Sequence, residues 1–592
     1  MIALDMKLFF KCKVTLVTTL IYLAIMCYQL FSAAPYCFIS TDSFIECGRL
    51  LELSFLYFLI ISYYIFSKAK HEKVEELLLS IQKSKLSSYM SKGICLMIFN
   101  ILICTFLFSY QLILSTKTIS YTNNYIYFIL ADILIHHFLL YLFAILLGRV
   151  ISLVNSYAKG YLLLYLVYLT FGTVINCMFK GFSVYAEWFY PISNLFSLYT
   201  QEYAESSDYY YIFSMEPINI QRLLFWIFLM ALILSFHTKK PKRWLKRGIY
   251  IFGATINLAL FFLPSAAVNY DGCSSAGDAW CGNQIYYETI INCMDMSQYK
   301  EANFKAIDYK LDFNIHRTLD AKVTVKVDTP NLQEYHFTLY HKYKIRKITN
   351  QTGTSLNYKQ EGDYVTVYVP EGKTAEEFHF SYVAVGTTSY YSTAQGIFLP
   401  GYFAYYPMPG IRQVHISQLG YYSSAIEGLG YKVSFHGKIN TKVPLYSNLD
   451  IKEDGTFSGT TEGLTILGSY FAKEYNIEGC RILFPELNGS IERPDTDIEY
   501  YQKFIKKYKD TEYDLTGKLI IIPPYMNGTF IYITDEYLIG ELSYLEDQYD
   551  LYINDGSLYP KIDEDDLMIQ QSQQMVQQLE EEQAEKEREE QQ

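Results

Sequence analysis

Chemistry in a chain of 592 residues must be carried by acids, bases, nucleophiles or metal ligands at workable spacing, and few stand so here. A zinc hydrolase needs two imidazoles four residues apart on one helix face, an adjacent glutamate as general base and a third ligand beyond. The one His-Glu step is His71-Glu72, and Glu75 stands where the second histidine would be required. No GxSxG, phosphate-binding loop or dinucleotide fingerprint occurs either. The sequence therefore predicts no catalytic residue, no metal site and no cofactor bound by this chain. His316, His336, His341, His379, His415 and His436 lie in or beside alternating runs without ligand spacing and read as structural. There remain Asp132 and His136, four residues apart and hence on one α-helical face, with His137 beside them. They interrupt an apolar run, where ionisable side chains point to function. Fifteen Leu, Ile or Phe residues in that run offset one Asp at roughly +2.5 to +3.5 kcal/mol, so an interhelical hydrogen bond or dimer contact explains the residues as well as a role in translocation.

The elements that position these residues follow from composition. Hydrophobic residues make up 51% and charged residues 19% of the chain, whose net charge is -12. Apolar runs long enough to cross a bilayer lie near Val14 to Phe31, Leu50 to Phe66, Ile94 to Leu114, Ile126 to Leu147, Tyr161 to Cys177, Ile220 to Phe236 and Gly248 to Leu263. Seven spans are expected in residues 1–268. An apolar core longer than a signal-peptide h-region precedes Ser32 to Pro35, so this first run is read as a retained anchor. Lys7, Lys11 and Lys13, the six lysines from Lys68 to Lys92, and the six cations from Lys239 to Arg247 mark cytoplasmic segments, while the alternate loops are poor in Lys and Arg. This places the N-terminus in the cytoplasm, the chain in the plasma membrane and everything after Leu263 outside. Residues 1–250 carry 21 Lys and Arg against 13 Asp and Glu, and the remainder 28 against 48. An acidic hydrophilic half excludes nucleic acid as a partner.

Between the second and third spans, Glu75 and Glu76 precede Leu77, Leu78, Leu79 and Ile81 on a charged helical background. By pattern alone this is an amphipathic interfacial helix. Its order resembles the coupling helix of type-two export permeases of ATP-binding-cassette transporters, although Ile81-Gln82 stands where that family often has Leu-Pro. The aromatic-rich loop Gly181 to Glu205 resembles the re-entrant external segment of the same family, over about residues 1–240. The resemblance implies a cytoplasmic ATP-binding-cassette ATPase that binds the ATP, a second permease subunit forming a homo- or heterodimer, and contact with membrane lipid.

From Phe304 the apolar period changes to alternation, broken by turn-rich segments such as Asp328 to Asn331 and Pro370 to Thr374; this predicts antiparallel sheet. The succession of strands, with Leu399 to Gly410 as an aromatic-proline stretch, resembles the saddle-shaped N-terminal domain of zinc aminopeptidases of the aminopeptidase N type, over residues 304–484. Residues 485–546 resemble the opening of the peptidase catalytic domain, without its motifs. Tyr402, Tyr405 and Tyr406 are the expected peptide-contact aromatics. Residues 269–303 form a cysteine-containing external linker, and 547–592 an acidic Gln- and Glu-rich tail expected to be helical or disordered. The expected fold is thus an α-helical polytopic membrane domain followed by a mainly antiparallel β extracellular domain. Three functions follow in order. The first is the permease subunit of a bacterial ATP-driven exporter, itself no enzyme, whose outer domain binds or guides substrate, with peptide as the candidate class. The second is a membrane-anchored receptor or sensor, and the third a membrane-tethered aminopeptidase lacking its metal motif.

Overall fold

The computed structural model of the chain describes residues 2–34, 42–71, 85–115, 123–154, 156–172, 190–198, 210–211, 215–237, 243–263, 301–384, 390–418, 421–424, 428–485, 495–523, 531–540 and 545–555. The first half is helical: α1 (Ile2–Lys11), α2 (Lys13–Ala33), α3 (Asp42–Arg49), α4 (Leu51–His71), α5 (Lys85–Ser115), α6 (Asn123–Asp132), a π-helix (Ile133–Phe138), α7 (Leu139–Ile151), α8 (Tyr157–Phe171), α9 (Tyr190–Phe196), α10 (Pro217–Phe236) and α11 (Arg243–Phe261).

Among the described residues five helical stretches are long and apolar enough to cross a membrane: Lys13–Ala33, Glu46–Lys68, Tyr89–Leu114, Tyr125–Ile151 and Pro217–Phe236. The other two expected spans fall on α8, which ends at Phe171 with Gly172 extended, and on α11, which opens with Arg243, Lys246 and Arg247. The helix α2 shows what solvent the bundle is built for. It turns Thr15, Thr19 and Tyr22 inward and leaves Val14, Val17, Leu20, Ile21 and Ile25 exposed. That is the reverse of a helix in water and suits a lipid surround, where polar side chains find partners on neighbouring helices. Thr19 meets the Tyr57 hydroxyl at 2.8 Å and Tyr22 meets Ser54 at 2.9 Å. At the close approach of α4 and α7, Gly148 is required: a Cβ there would lie 2.6 Å from Leu59 O and 2.9 Å from Tyr63 N. Nearby, Ser62 Oγ donates to Ile145 O at 2.6 Å.

The second half holds β1 (Ala306–Ile315), β2 (Leu319–Val327), β3 (Glu334–Thr338), β4 (Tyr343–Asn350), β5 (Asn357–Glu361), β6 (Tyr364–Tyr368), β7 (Glu377–Ala384), β8 (Ile397–Leu399), β9 (Met408–Pro409), β10 (His415–Gln418), β11 (Tyr421–Ser424), β12 (Val433–Asn440), β13 (Leu445–Ser447), β14 (Thr456–Thr461), β15 (Ile466–Gly468), β16 (Ala472–Ile477) and β17 (Cys480–Pro485). After these come α12 (Asp495–Tyr508), β18 (Leu519–Ile521), β19 (Ile531–Ile533), β20 (Tyr537–Gly540) and α13 (Leu545–Asp555). A six-stranded sheet in the order β14-β12-β1-β2-β7-β4 is the main layer, faced by the four-stranded sheet β5-β6-β3-β9. Alternation sets the register: Tyr309, Leu311, Phe313 and Ile315 of β1 are buried, and Leu311 pairs with Val323 of β2. The five-stranded sheet β16-β17-β18-β20-β19 mixes parallel and antiparallel pairs. It runs across position 484, where the sequence suggested a domain boundary, because β17 hydrogen-bonds to β18.

Candidate functional site

The strongest concentration of polar side chains in the helical half surrounds Asp132, which is buried with Gln111, His136 and His137. Gln111 Nε2 on α5 donates to Asp132 Oδ2 at 3.1 Å. His137 Nε2 lies 3.8 Å from the same carboxylate oxygen, and His137 Nδ1 lies 2.9 Å from the Tyr141 hydroxyl. Tyr141 reaches Ser54 on α4, which in turn meets Tyr22 on α2. On α5, Asn100 Nδ2 donates to Phe138 O at 3.2 Å, and Cys104 Sγ donates to Asn100 Oδ1 at 3.3 Å. A polar chain thus crosses from α5 through the π-helix and α7 to α4 and α2.

The sequence paired Asp132 with His136 by α-helical spacing. In the structure the intervening turn is π-helical, and the ring brought to 3.8 Å from Asp132 is that of His137, five residues on. Gln111, Tyr141, Ser54 and Tyr22 were not singled out from the sequence. The one available signal was a polar side chain inside an apolar run. The expected coupling residues Glu75, Glu76, Leu77, Leu78, Leu79 and Ile81 lie outside the described residues.

A second site is the junction between the halves. Tyr210 and Tyr211, contributed by the segment before α10, are buried in the core of the β-rich half. Tyr210 donates its hydroxyl to Ile522 O at 2.7 Å, and its own carbonyl accepts from Ser469 Oγ at 2.8 Å. Gln395 clamps the same segment: Nε2 donates to Tyr211 O at 2.8 Å, and Oε1 accepts Met215 N–H at 2.7 Å. Arg317, between β1 and β2, donates to Leu260 O at 2.6 Å and Leu263 O at 3.0 Å, capping the end of α11, and to Gln221 Oε1 on α10 at 3.1 Å. Phe471 stacks edge-on against Phe128 of α6 with centroids 4.7 Å apart. Glu216 is buried at the foot of α10, and burial pushes its carboxyl above the ordinary range despite bonds from Thr393 and Tyr211 and the nearby Arg317 charge.

The tyrosines expected to contact peptide are placed otherwise. Tyr402, Tyr405 and Tyr406 are all buried in the β core. Tyr405 donates to Leu464 O at 2.6 Å and Tyr406 to Gly401 O at 3.2 Å. Burial raises all three phenols well above their usual range. Two of these hydroxyls satisfy loop carbonyls while the rings fill the interior, so the three present no exposed contact surface. Of the histidines in strand runs, His341 bonds Asp363 at 3.0 Å, His379 bonds Thr324 at 2.8 Å, and His436 faces Asp308 at 3.3 Å. Among the described residues no three His, Cys, Asp or Glu side chains are grouped to hold a metal ion. Cys47 and Cys480 are buried, and Cys480 Sγ donates to Leu515 O at 2.9 Å.

No family model matches this chain. No curated protein matches either. Over part of the chain the fold is similar to solved M1 zinc peptidases and leukotriene A4 hydrolase. Yeast LTA4 hydrolase in complex with bestatin is 11% identical, with 43% of this chain and 44% of that one covered and a TM-score of 0.28. The M1 zinc metallopeptidase of Deinococcus radiodurans is 11% identical, with 42% and 62% covered and a TM-score of 0.28. A point mutant of that enzyme, bound to a Tyr-Ser-Ala substrate, is 12% identical, with 43% and 64% covered and a TM-score of 0.28. The chain therefore spans less than two thirds of the length of each. One expectation is corrected by these neighbours: they are zinc peptidases and a hydrolase, and the exclusion of an enzyme drawn from missing motifs does not stand.

Proposed function

We propose that this chain is the permease subunit of an ATP-driven exporter whose β-rich half receives substrate outside the plasma membrane and passes the event of binding to the bundle. The observation that carries this reading is the junction. Gln395, Arg317 and the buried Tyr210-Tyr211 pair tie the β half to α10 and α11 by hydrogen bonds at both ends. A flexible tether would serve an anchor equally well; a clamp to two helices serves coupling. An extended peptide is the substrate class we favour, because β14 is an outer strand of the six-stranded sheet and, beyond its bridge from Phe457 to Ile451, can accept a further strand, whereas the edge of β4 is covered by the segment that follows it. In this reading the chain has seven crossings, a cytoplasmic N-terminus, and Glu75 to Ile81 docked on a cytoplasmic ATP-binding-cassette ATPase that binds ATP, with a second permease subunit completing the dimer.

The second reading is a membrane-tethered aminopeptidase, favoured by the mixed sheet with α12 and α13 that follows the saddle-like strands, in the order resembling the start of a peptidase catalytic domain. Purification of the tagged full chain from its native membrane tests the first reading. An ATPase should copurify with the parent and be lost from Leu78→Asp, which still inserts. A parent preparation free of any ATPase overturns the exporter assignment, and release of product from aminoacyl reporters in that preparation puts the peptidase first.

A further inference from the structure

The turn between α10 and α11 concentrates positive charge. Lys239, Lys240, Lys242, Arg243, Lys246 and Arg247 fall within nine residues, and no Asp or Glu occurs from Pro217 to Tyr270. Charge alone would serve to orient a span during insertion, wherever the side chains pointed. The structure adds an arrangement. Gly253, Ala254, Asn257 and Phe261 are buried positions of α11, and Gly253 lies so close to α10 that a Cβ there would stand 2.8 Å from the Phe228 ring. Arg247, seven residues before Ala254, belongs to the same face two turns away. Its guanidinium lies over the Phe236 ring at the end of α10, 4.3 Å from the centroid. Nη2 donates to Ser235 O over a long 3.4 Å, and the buried Nε has no hydrogen-bond partner among the described residues. The guanidinium is thus held between the two helices with most of its donor capacity unspent.

The opposite face of α11 is apolar and exposed at Leu245, Ile249, Phe252 and Ile256. At about 1.5 Å per residue this stripe runs for about 16 Å, close to the depth of one leaflet in a hydrocarbon core about 30 Å thick. Lys246 is exposed at the head of the stripe, and Trp244 beside it is 78% exposed, as suits a ring at the headgroup boundary.

We propose that the start of α11 is a binding site for an anionic phospholipid, with Lys246 and Arg247 holding the headgroup phosphate and an acyl chain lying along Leu245 to Ile256. A guanidinium offers a planar fork to two phosphate oxygens, and an ammonium adds a mobile point charge. Surrounded by further cations, the pair favours a net negative headgroup over a zwitterionic one, whose own ammonium is repelled. At the far end of the same helix Arg317 of the β half donates to Leu260 O and Leu263 O. The bound lipid therefore sets the membrane depth of the helix on which that clamp rests. The site serves a chain that exports, senses or cleaves peptide alike, so lipid binding and ATPase copurification fail independently.

The test uses the full chain in phosphatidylcholine nanodiscs with a rising fraction of brominated phosphatidylglycerol, and reads the tryptophan emission that Trp244→Phe removes. Half-quenching should come at a mole fraction about tenfold or more below that for brominated phosphatidylcholine. Replacing both cations, as Lys246→Gln with Arg247→Gln, should raise that fraction by about fivefold per charge removed, while four cations remain to orient the hairpin. Lys159→Gln, which removes an exposed charge from α8, should leave it unchanged. Should the double variant fail to insert, Arg247→Lys keeps the charge and loses the fork and the ring contact, and it should raise the fraction about two- to fivefold. Equal quenching by the two lipids overturns the proposal, as does a Lys159→Gln effect as large as that of the double variant, which marks a diffuse field. Displacement of the brominated phosphatidylglycerol by millimolar inorganic phosphate assigns the site to a free anion and overturns it as well.

Discussion

Replacing Gln395 isolates what the junction contributes. The side chain is 7% exposed and bridges two backbone groups of the segment before α10, accepting from Met215 N–H at 2.7 Å and donating to Tyr211 O at 2.8 Å. Removing both bonds leaves a donor and an acceptor without their partner, and each such loss costs about 1–3 kcal/mol when buried. The pair is therefore worth about 2–6 kcal/mol, with the lower half expected because Met215 is only partly buried. The Gln395 loop itself should hold, since Thr393 Oγ1 accepts the Gln395 and Gly396 N–H groups at 3.0 and 3.2 Å. Hydrogen exchange at Met215 reads the broken bond directly, and its share of about 1–3 kcal/mol is an acceleration of about 5- to 150-fold. Both Gln395→Ala and Gln395→Met should show it, because Met keeps the packing volume and loses the two bonds. A Gln395→Met variant with parental exchange at Met215 would mean that shape, not hydrogen bonding, holds the halves together, and the clamp reasoning fails.

Two further outcomes follow from neighbouring geometry. Burial raises the Glu216 carboxyl above its ordinary 4.5, so the folded junction binds a proton that the unfolded chain releases; its stabilisation is complete below that value and fades as pH rises through the raised one. Exchange at Met215, corrected for intrinsic rate, should be more protected near about pH 5 than about pH 7 in the parent and level in Glu216→Gln, while an unchanged slope in the variant refutes the assignment. Gly148→Ala places a methyl against the backbone of Leu59 and Tyr63 and should cost about 1–3 kcal/mol, seen as a lower melting temperature of the detergent-solubilised chain; a parental melting temperature contradicts the close approach of α4 and α7.

Legibility in the sequence follows the range of the interaction concerned. The alternation of β1 and β2 was readable because one face of each is buried, and Tyr309, Leu311 and Phe313 are the residues that alternation selects. The long apolar runs were readable for the same local reason, and among the described residues five of them are helices of membrane-crossing length. The tyrosines misled because a phenol is amphipathic and its position does not say which end matters. Between β8 and β9 the backbone is irregular, and buried hydroxyls satisfy carbonyls there: Tyr309 donates to Pro407 O at 2.8 Å and Tyr382 to Tyr405 O at 2.7 Å. An irregular loop threaded through a core needs such donors, so a Tyr-rich loop is as much a sign of burial as of binding.

The site in the bundle was half legible for a sharper reason. Asp132 and the two histidines announce themselves as ionisable groups in an apolar run, but their pairing depends on how the helix is wound between them. No residue type in Ile133–Phe138 marks five-residue rather than four-residue bonding. Tertiary contacts choose: Asn100 holds Phe138 O from α5, and Tyr141 holds the His137 ring from one turn beyond. Adjacent histidines after an aspartate are what make that choice consequential, because either winding can set an imidazole over the carboxylate. A sequence that places candidates at both the fourth and fifth positions leaves the partner to be decided by packing.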